Sequence, residues 1–173
     1  MSANTAAPRL DAFDVRILAV LQRNGRITKI RLAEEIGLSP SPCWERMRRL
    51  EACGLIRGYH ADIELDRLLN TATIFVEVTL RSHTADDFGR FERAIDEVPE
   101  VVDCYATGGG IDYLMRLITL DIDHYQRVID GLLLAEIGID RYFTYIVTKQ
   151  VKASAGAPLE ALLDYAGDTR TPR

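Results

Sequence analysis

The feature that most constrains this chain is a pair of prolines two residues apart, Pro40 and Pro42. They lie in Leu38-Ser39-Pro40-Ser41-Pro42-Cys43-Trp44-Glu45-Arg46-Met47-Arg48-Arg49-Leu50. Proline lacks a backbone donor and clashes with the preceding turn, so such a pair breaks a helix anywhere except in its first turn. There no donor is needed, and the fixed φ of proline suits the first position. The segment therefore starts a helix, with Ser39 able to cap it and Pro40 leading it. Cys43, Met47 and Leu50 make the inward stripe, while Ser41, Trp44, Glu45 and Arg48 point away. Gly54 closes the helix, and Leu55 can fold back on its last turn.

Two helices precede this one. Leu10, Phe13, Ile17, Leu18 and Leu21 fall at helical spacing, with Asp11 at the front, where an acid suits the dipole, and Asn24-Gly25 at the end. A second helix starts near the cap Thr28, turns Leu32, Ala33 and Ile36 inward, and stops at Gly37. Helix, four-residue turn, then a capped helix with arginines outside is helix-turn-helix geometry. The second helix of such a pair sets its N-terminal residues against base edges in the major groove. Ser39, Ser41, Trp44, Glu45, Arg48 and Arg49 are the candidate contacts to double-stranded DNA. Trp44 has two readings, stacking near DNA or packing on the first helix. Leu55 to Tyr59 alternates and reads as a short wing strand. The blander alternative is a three-helix packing module whose arginines form a solvated face.

Charge bears on the partner, though a solvated surface can show the same asymmetry. The chain as a whole carries a net charge of −5, which disfavours a polyanion partner. Residues 1–60, however, hold ten Lys/Arg against six Asp/Glu, and residues 61–173 hold eleven against twenty. A small basic domain joined to an acidic one suits a polyanion reader attached to something else. No run of about 18 apolar residues is present, so neither a membrane span nor a membrane partner is expected. Residues 1–8, polar and small, lack the basic flank and apolar stretch of a secretory signal and read as a disordered tail. Cys43, Cys53 and Cys104 form no Cys-x-x-Cys pair and have no companion His at zinc spacing. They read as reduced cytoplasmic thiols, with no metal site. His60, His83 and His124 lie in separate segments without ligand spacing and read as surface or loop residues.

The remainder alternates between strands and helices. Thr71 to Leu80 is a strand with Ile74, Val76, Val78 and Leu80 on one face. Thr84 and Asp87 can cap a helix carrying Phe88, Phe91, Ile95 and Val98, which Pro99 ends. Val101 to Thr107 and Tyr113 to Leu120 are strands on either side of Gly108-Gly109-Gly110. Asp121 opens a helix with Tyr125, Val128, Ile129, Leu132 and Leu133 on one side, and Arg141 to Lys152 is the last strand. The order βαββαβ is the ferredoxin-like split motif, an antiparallel sheet with helices on one face, and the class is α+β. The other face, expected around Ile74, Val76 and Val78, is then uncovered in a monomer, which calls for a homodimer.

The glycine run joins two strands and lacks a following helix and Lys, so it is neither a Rossmann nor a P-loop signature. It reads either as a flexible hairpin or as a place where backbone approaches a ligand closely, with Asp112 set to accept from an ammonium group.

The strings Leu32-Ala33-Glu34, Gly37-Leu38-Ser39-Pro40 and Cys43 to Gly54, with Arg49-Leu50-Glu51 and Gly54-Leu55-Ile56 closing the motif, carry a resemblance to the Lrp/AsnC (feast/famine) family of prokaryotic transcription regulators. The similarity runs to about Lys152. It implies an N-terminal winged helix-turn-helix, a linker strand, and a C-terminal effector-binding domain that dimerises and assembles into higher oligomers. The expected layout is a disordered tail over 1–8, the winged helix-turn-helix over 9–60 and a linker over 61–70. A ferredoxin-like effector and dimerisation domain follows over 71–152, then a C-terminal tail over 153–173 with one short helix around Leu159 to Tyr165. Family members resemble this chain with a Thr-Gly-x-x-Asp-Tyr stretch at the effector site. Asp112-Tyr113 matches it and Gly109 fits, whereas Thr107 stands one place early. Thr144 matches a family Thr or Ser on the last strand. Gly108, Gly109, Gly110, Asp112 and Thr144 are thus the candidate effector residues, with an amino acid as the implied effector and no other cofactor. Siroheme decarboxylases resemble the same architecture, so the fold alone does not exclude an enzyme. Such an enzyme would want histidines or arginines converging on a tetrapyrrole, whereas here the arginines cluster on the reading helix. The expectation is a non-enzymatic, sequence-specific transcription regulator of the cytoplasm.

Overall fold

The computed structural model describes residues 10–154 and 156–168, so the tail expected over 1–8 lies outside the described residues. Two compact units form, one from the chain up to Asp62 together with the chain from Lys152 onward, the other from Ile63–Val151.

The first unit opens with α1 (Ala12–Arg23), α2 (Lys29–Ile36) and α3 (Pro40–Ala52). At the start of α1 the Asp11 carboxylate accepts from the amides of Phe13 and Asp14 at 2.9 and 3.0 Å. The Asp14 carboxylate in turn takes the Asp11 amide at 3.1 Å, closing a capping box. Thr28 caps α2, and Gly37 ends it in the left-handed region at φ 75°. Three residues, Gly37 to Ser39, separate α2 from α3 instead of the expected four, because the Leu38 amide already donates back to Ala33 O at 2.9 Å. Ser39 occupies the cap position of α3, but its side chain makes no capping hydrogen bond. A cap accepts from the second or third amide of the helix, and Pro42 removes the third.

Ile17, Val20, Leu32, Ala33, Ile36, Cys43, Met47 and Leu50 form the core of this unit. Ile56, not Leu55, closes it: beyond Gly54 (φ 75°) the Ile56 amide donates to Leu50 O at 3.1 Å, and Leu55 is exposed. The wing strand expected over Leu55–Tyr59 is absent. Every strand among the described residues belongs to the second unit, and a lone extended segment has no ladder to join. Tyr59 instead donates its hydroxyl to Glu51 at 2.9 Å.

The second unit opens with a 3-10 turn, Leu65–Arg67, where the linker strand was expected, and runs β1 (Ala72–Leu80), α4 (Ala85–Asp96), β2 (Val101–Ala106), β3 (Tyr113–Thr119), α5 (Ile122–Leu134) and β4 (Ile139–Ile146). The strand order is β2-β3-β1-β4 with every pairing antiparallel, the ferredoxin-like arrangement. Thr84 and Asp121 cap α4 and α5 as expected. The last strand stops at Ile146, well short of Lys152, because its partner β1 begins at Ala72 and the ladder ends at Ile74↔Ile146.

One expectation reverses. Ile74, Val76 and Val78 are not on the uncovered face. They are fully buried with Phe91 and Ile95 of α4 and with Tyr125, Ile129 and Leu132 of α5. The open face carries the opposite set. The register lays Phe75 between Arg116 and Tyr145, and Glu77 between Leu114 and Phe143. Alternation shows that a strand has two faces but not which one the helices cover. Phe75, in an apolar run with Ile74 and Val76, makes both faces look coverable.

Beyond β4 the chain returns to the first unit, where α6 (Leu159–Asp168) forms near the expected place and lies against α1. Ala19 of α1 is buried although it stands outside the core cluster. It lines a cleft of about 330 Å³ together with Gln22, Arg23, Ser154 and residues 156–161. Among the described residues no helix is long and apolar enough to cross a membrane.

Candidate DNA-reading helix and effector loop

At roughly 100° per residue, α3 divides into four strips. Cys43, Met47 and Leu50 face the core, and Ser41, Glu45 and Arg48 lie about opposite, all exposed. The two flanking strips hold the helix in place. On one, Trp44 is half-buried and the Lys29 ammonium of α2 sits 3.1 Å from its ring centroid, a cation–π contact. Trp44 thus packs within the unit, beside Lys29 of α2 and against the core cluster to which α1 contributes Ile17 and Val20.

On the other flank, Arg46 and Arg49 turn toward α1. Arg46 Nη1 donates to Asp11 at 2.6 Å and to Asp14 at 2.9 Å, and Arg49 Nη2 donates to the other oxygen of Asp14. The Asp14 side chain is only 1% exposed, against 27% for Arg46 and 53% for Arg49. A carboxylate so buried is tolerable only when paired and hydrogen-bonded, and with the Asp11 amide it has three donors. The Asp14 amide first, and the Arg46 guanidinium next, hold the Asp11 carboxyl below its ordinary value. Arg49 therefore stands apart from the Ser41–Glu45–Arg48 strip with which it was grouped. Asp14 escaped notice in the sequence, yet a signal was present: an acid at the position between Leu10 and Ile17 on the apolar stripe of α1.

The effector candidates fall in two places. Gly108, Gly109 and Gly110 form the exposed tip of the β2–β3 hairpin. None has a positive φ, and a Cβ on any of them would meet nothing within 4 Å, so neither backbone conformation nor packing within the chain demands glycine there. Thr107 closes the hairpin, its amide donating to Asp112 O at 2.8 Å and its hydroxyl to Ile111 O at 2.6 Å. The Asp112 carboxylate accepts the Leu80 amide at 2.7 Å and has His83 Nε2 at 3.1 Å, which ties the loop to the end of β1. Thr144 stands apart on β4 opposite Val76, hydrogen-bonded to the Tyr125 hydroxyl. The loop and Asp112 are thus brought together, while Thr144 makes its hydrogen bond elsewhere, to Tyr125. A cleft of about 490 Å³ beside α4 and β2 is lined by Glu92, Asp96, Asp103, Cys104 and Tyr113, and by none of the five candidates. Burial first, and Glu92 next, push the Tyr113 hydroxyl well up and the Cys104 thiol up to about 11.

A winged helix-turn-helix DNA-binding model matches residues 10–57, and the Lrp/AsnC ligand-binding domain model matches residues 73–157. The transcriptional regulatory protein DoeX of Halomonas elongata is 52% identical over 144 residues, covering 83% of this chain and 91% of its own. This chain belongs to the Lrp/AsnC family. The leucine-responsive regulatory protein of Escherichia coli is 38% identical over 145 residues, covering 84% of this Lrp/AsnC regulator and 88% of its own length. A Neisseria meningitidis transcriptional regulator solved in complex with L-methionine superposes with a TM-score of 0.83 at 33% identity, covering 89% of this chain and 99% of the other. The fold is therefore a DNA-binding module joined to a ligand-binding domain. Among the described residues no group of three or more His, Cys, Asp or Glu is arranged to hold a metal ion.

Proposed function

We propose that this Lrp/AsnC regulator reads duplex DNA through Ser39, Ser41, Glu45 and Arg48 of α3, with Trp44 bracing the helix, and that an amino acid bound in the second unit modulates that reading. The observation that carries the proposal is the exposed Ser41–Glu45–Arg48 strip on a helix whose N-terminus is fixed by prolines. The first residues of such a helix are the ones that reach base edges. Two homologous names support an amino acid as effector: one relative is leucine-responsive, and one structural neighbour holds L-methionine. The Gly108–Gly110 tip and Asp112 remain the proposed contacts to the zwitterion, with backbone amides for the carboxylate and Asp112 for the ammonium. Because Asp112 also holds the Leu80 amide, it would serve there in two roles.

The regulator works as a homodimer that assembles further, buried through the open face around Phe75, Phe143 and Tyr145, and it acts in the cytoplasm, where DNA is. That every relative named above is a regulator supports this reading over a tetrapyrrole decarboxylase. Selection of bound duplexes from a random library by the full chain tests it. The expected outcome is a roughly palindromic site with half-sites about one helical turn, or a multiple, apart. A thermal-shift screen of the twenty amino acids tests the effector, since a ligand of the folded state raises its melting temperature. No enriched sequence would overturn the first reading, and no stabilising amino acid the second.

A further inference from the structure

We propose that Asp14 is a positioning residue for DNA recognition, and that Arg46 and Arg49 act as the two arms of a clasp on it and not as contacts to DNA. The inference rests on the reading of α3 given above. Asp14 lies wholly inside the unit, on α1, yet its carboxylate takes one donor from each of two arginines a turn apart on α3 and a third from the backbone at Asp11. Arg46 also reaches Asp11, so one guanidinium bridges the cap of α1 and its buried acid. Its guanidinium carbon also lies 5.5 Å from the centre of the Phe13 ring.

Each feature restricts a different motion of α3. Two anchors at positions 46 and 49 oppose sliding along the axis, because both would have to let go together. Rotation would draw both arginines off a carboxylate that has no solvent to fall back on. Lys29 over Trp44 on the far flank opposes rotation the other way. The strip left facing outward is Ser41, Glu45 and Arg48, so the clasp decides which side chains meet the bases. Charge bookkeeping agrees: an arginine whose charge is spent on a buried carboxylate has less to offer a phosphate. A free arginine on a phosphate would instead release a counterion and steepen the salt dependence of binding.

The test uses the full chain, the duplex that it selects from a random library, and an unrelated duplex of equal length. For Arg49→Gln the expected result is a loss of about tenfold in affinity for the selected duplex, almost none for the unrelated one, and a salt slope unchanged from wild type. Arg48→Gln serves as the contrast, with a slope lower by about one. Asp14→Asn should reproduce the Arg49→Gln loss, and the double variant should be no worse than either single one. Should Asp14→Asn fail to fold, Arg49→Gln decides alone, since its side chain is half exposed. A slope reduced by about one in Arg49→Gln, with the ratio of selected to unrelated affinity intact, would overturn the clasp and make Arg49 a phosphate contact. Equal losses on both duplexes, tracking a lower melting temperature, would reduce Asp14 to general stability and overturn it too. Failure of the wild-type protein to enrich any sequence would overturn the DNA reading itself, and the clasp with it.

Discussion

Phe143→Asp and Val76→Asp place the same charge on neighbouring strands of the sheet, on opposite faces, and should have opposite consequences. Phe143 is 54% exposed, Val76 not at all. An aromatic side chain presents about 150–250 Å² for burial, so Phe143 leaves about 100 Å² still uncovered. At about 25 cal/mol per Å² that is about 2.5 kcal/mol per copy if a partner covers it. A two-fold interface meets the substitution twice, giving about 5 kcal/mol, or between three and four orders of magnitude in the dimer dissociation constant. That figure is an upper value for full coverage, before the added penalty of desolvating the carboxylate. The folded unit itself should be nearly untouched. Val76→Asp instead puts an unpaired charge among Ile74, Phe91 and Met115, a loss of about 3–5 kcal/mol or more from a domain whose total stability is about 5–13 kcal/mol. Sedimentation velocity at micromolar concentration, with circular dichroism melts on the same samples, separates the two. Phe143→Asp is expected to be a folded monomer, and Val76→Asp to melt early or not to fold. A Phe143→Asp protein that stays dimeric, or a Val76→Asp protein that melts like wild type, refutes the assignment of faces.

Other consequences are equally direct. Arg48→Ala should weaken operator binding by about 1–3 kcal/mol if it removes a base contact, measured by titration at fixed salt; wild-type affinity would exclude Arg48 from the reading strip. Asp112→Asn keeps an acceptor for the Leu80 amide, so calorimetry should find effector binding weakened and the melting temperature nearly constant. Asp112→Ala orphans that amide and should cost about 1–3 kcal/mol of stability as well. With its thiol up at about 11, Cys104 holds its proton through pH 8–9. Alkylation should therefore lag an ordinary cysteine by about two orders of magnitude there and rise steeply toward pH 11, followed by mass spectrometry. Equal labelling rates at pH 8 would contradict the upward push on this thiol from its surroundings, desolvation first and Glu92 second.

What the sequence disclosed, and what it withheld, divides along physical lines. Proline chemistry placed the start of α3 to the residue, because few backbone environments accept Pro40 and Pro42 together. Strand alternation and helix caps disclosed the βαββαβ order for the same local reason. The covered face of β1 was not legible, since it depends on where α4 and α5 cross the sheet, and no property of Ile74 or Phe75 encodes that. The wing over Leu55–Tyr59 had strand-like alternation but no partner strand, and pairing is never a local property. Ser39 was placed at its cap, yet its hydrogen bond fell to the second proline. At the candidate sites, exposure of Ser41, Glu45 and Arg48 followed from helical phase. The commitments of Arg49 to Asp14, of Asp112 to Leu80 and of Thr144 to Tyr125 are all pairings between segments distant in sequence. Only the fold brings them together.

The first unit is sewn from two stretches of chain with the whole second unit between them, and this bears on how such a regulator can be cut and recombined. A fragment ending at Asp62 would keep α1, α2 and α3 but strip α6 from the outer side of α1, laying Ala19 bare beside Gln22 and Arg23. A hybrid made by a single crossover in the linker would inherit α1, α2 and α3 from one parent and the helix that covers α1 from the other. Faithful grafting of the reading unit needs two junctions, one near Asp62 and one near Lys152, so that the piece exchanged in a chimera is the inserted sensor and not the DNA-binding head.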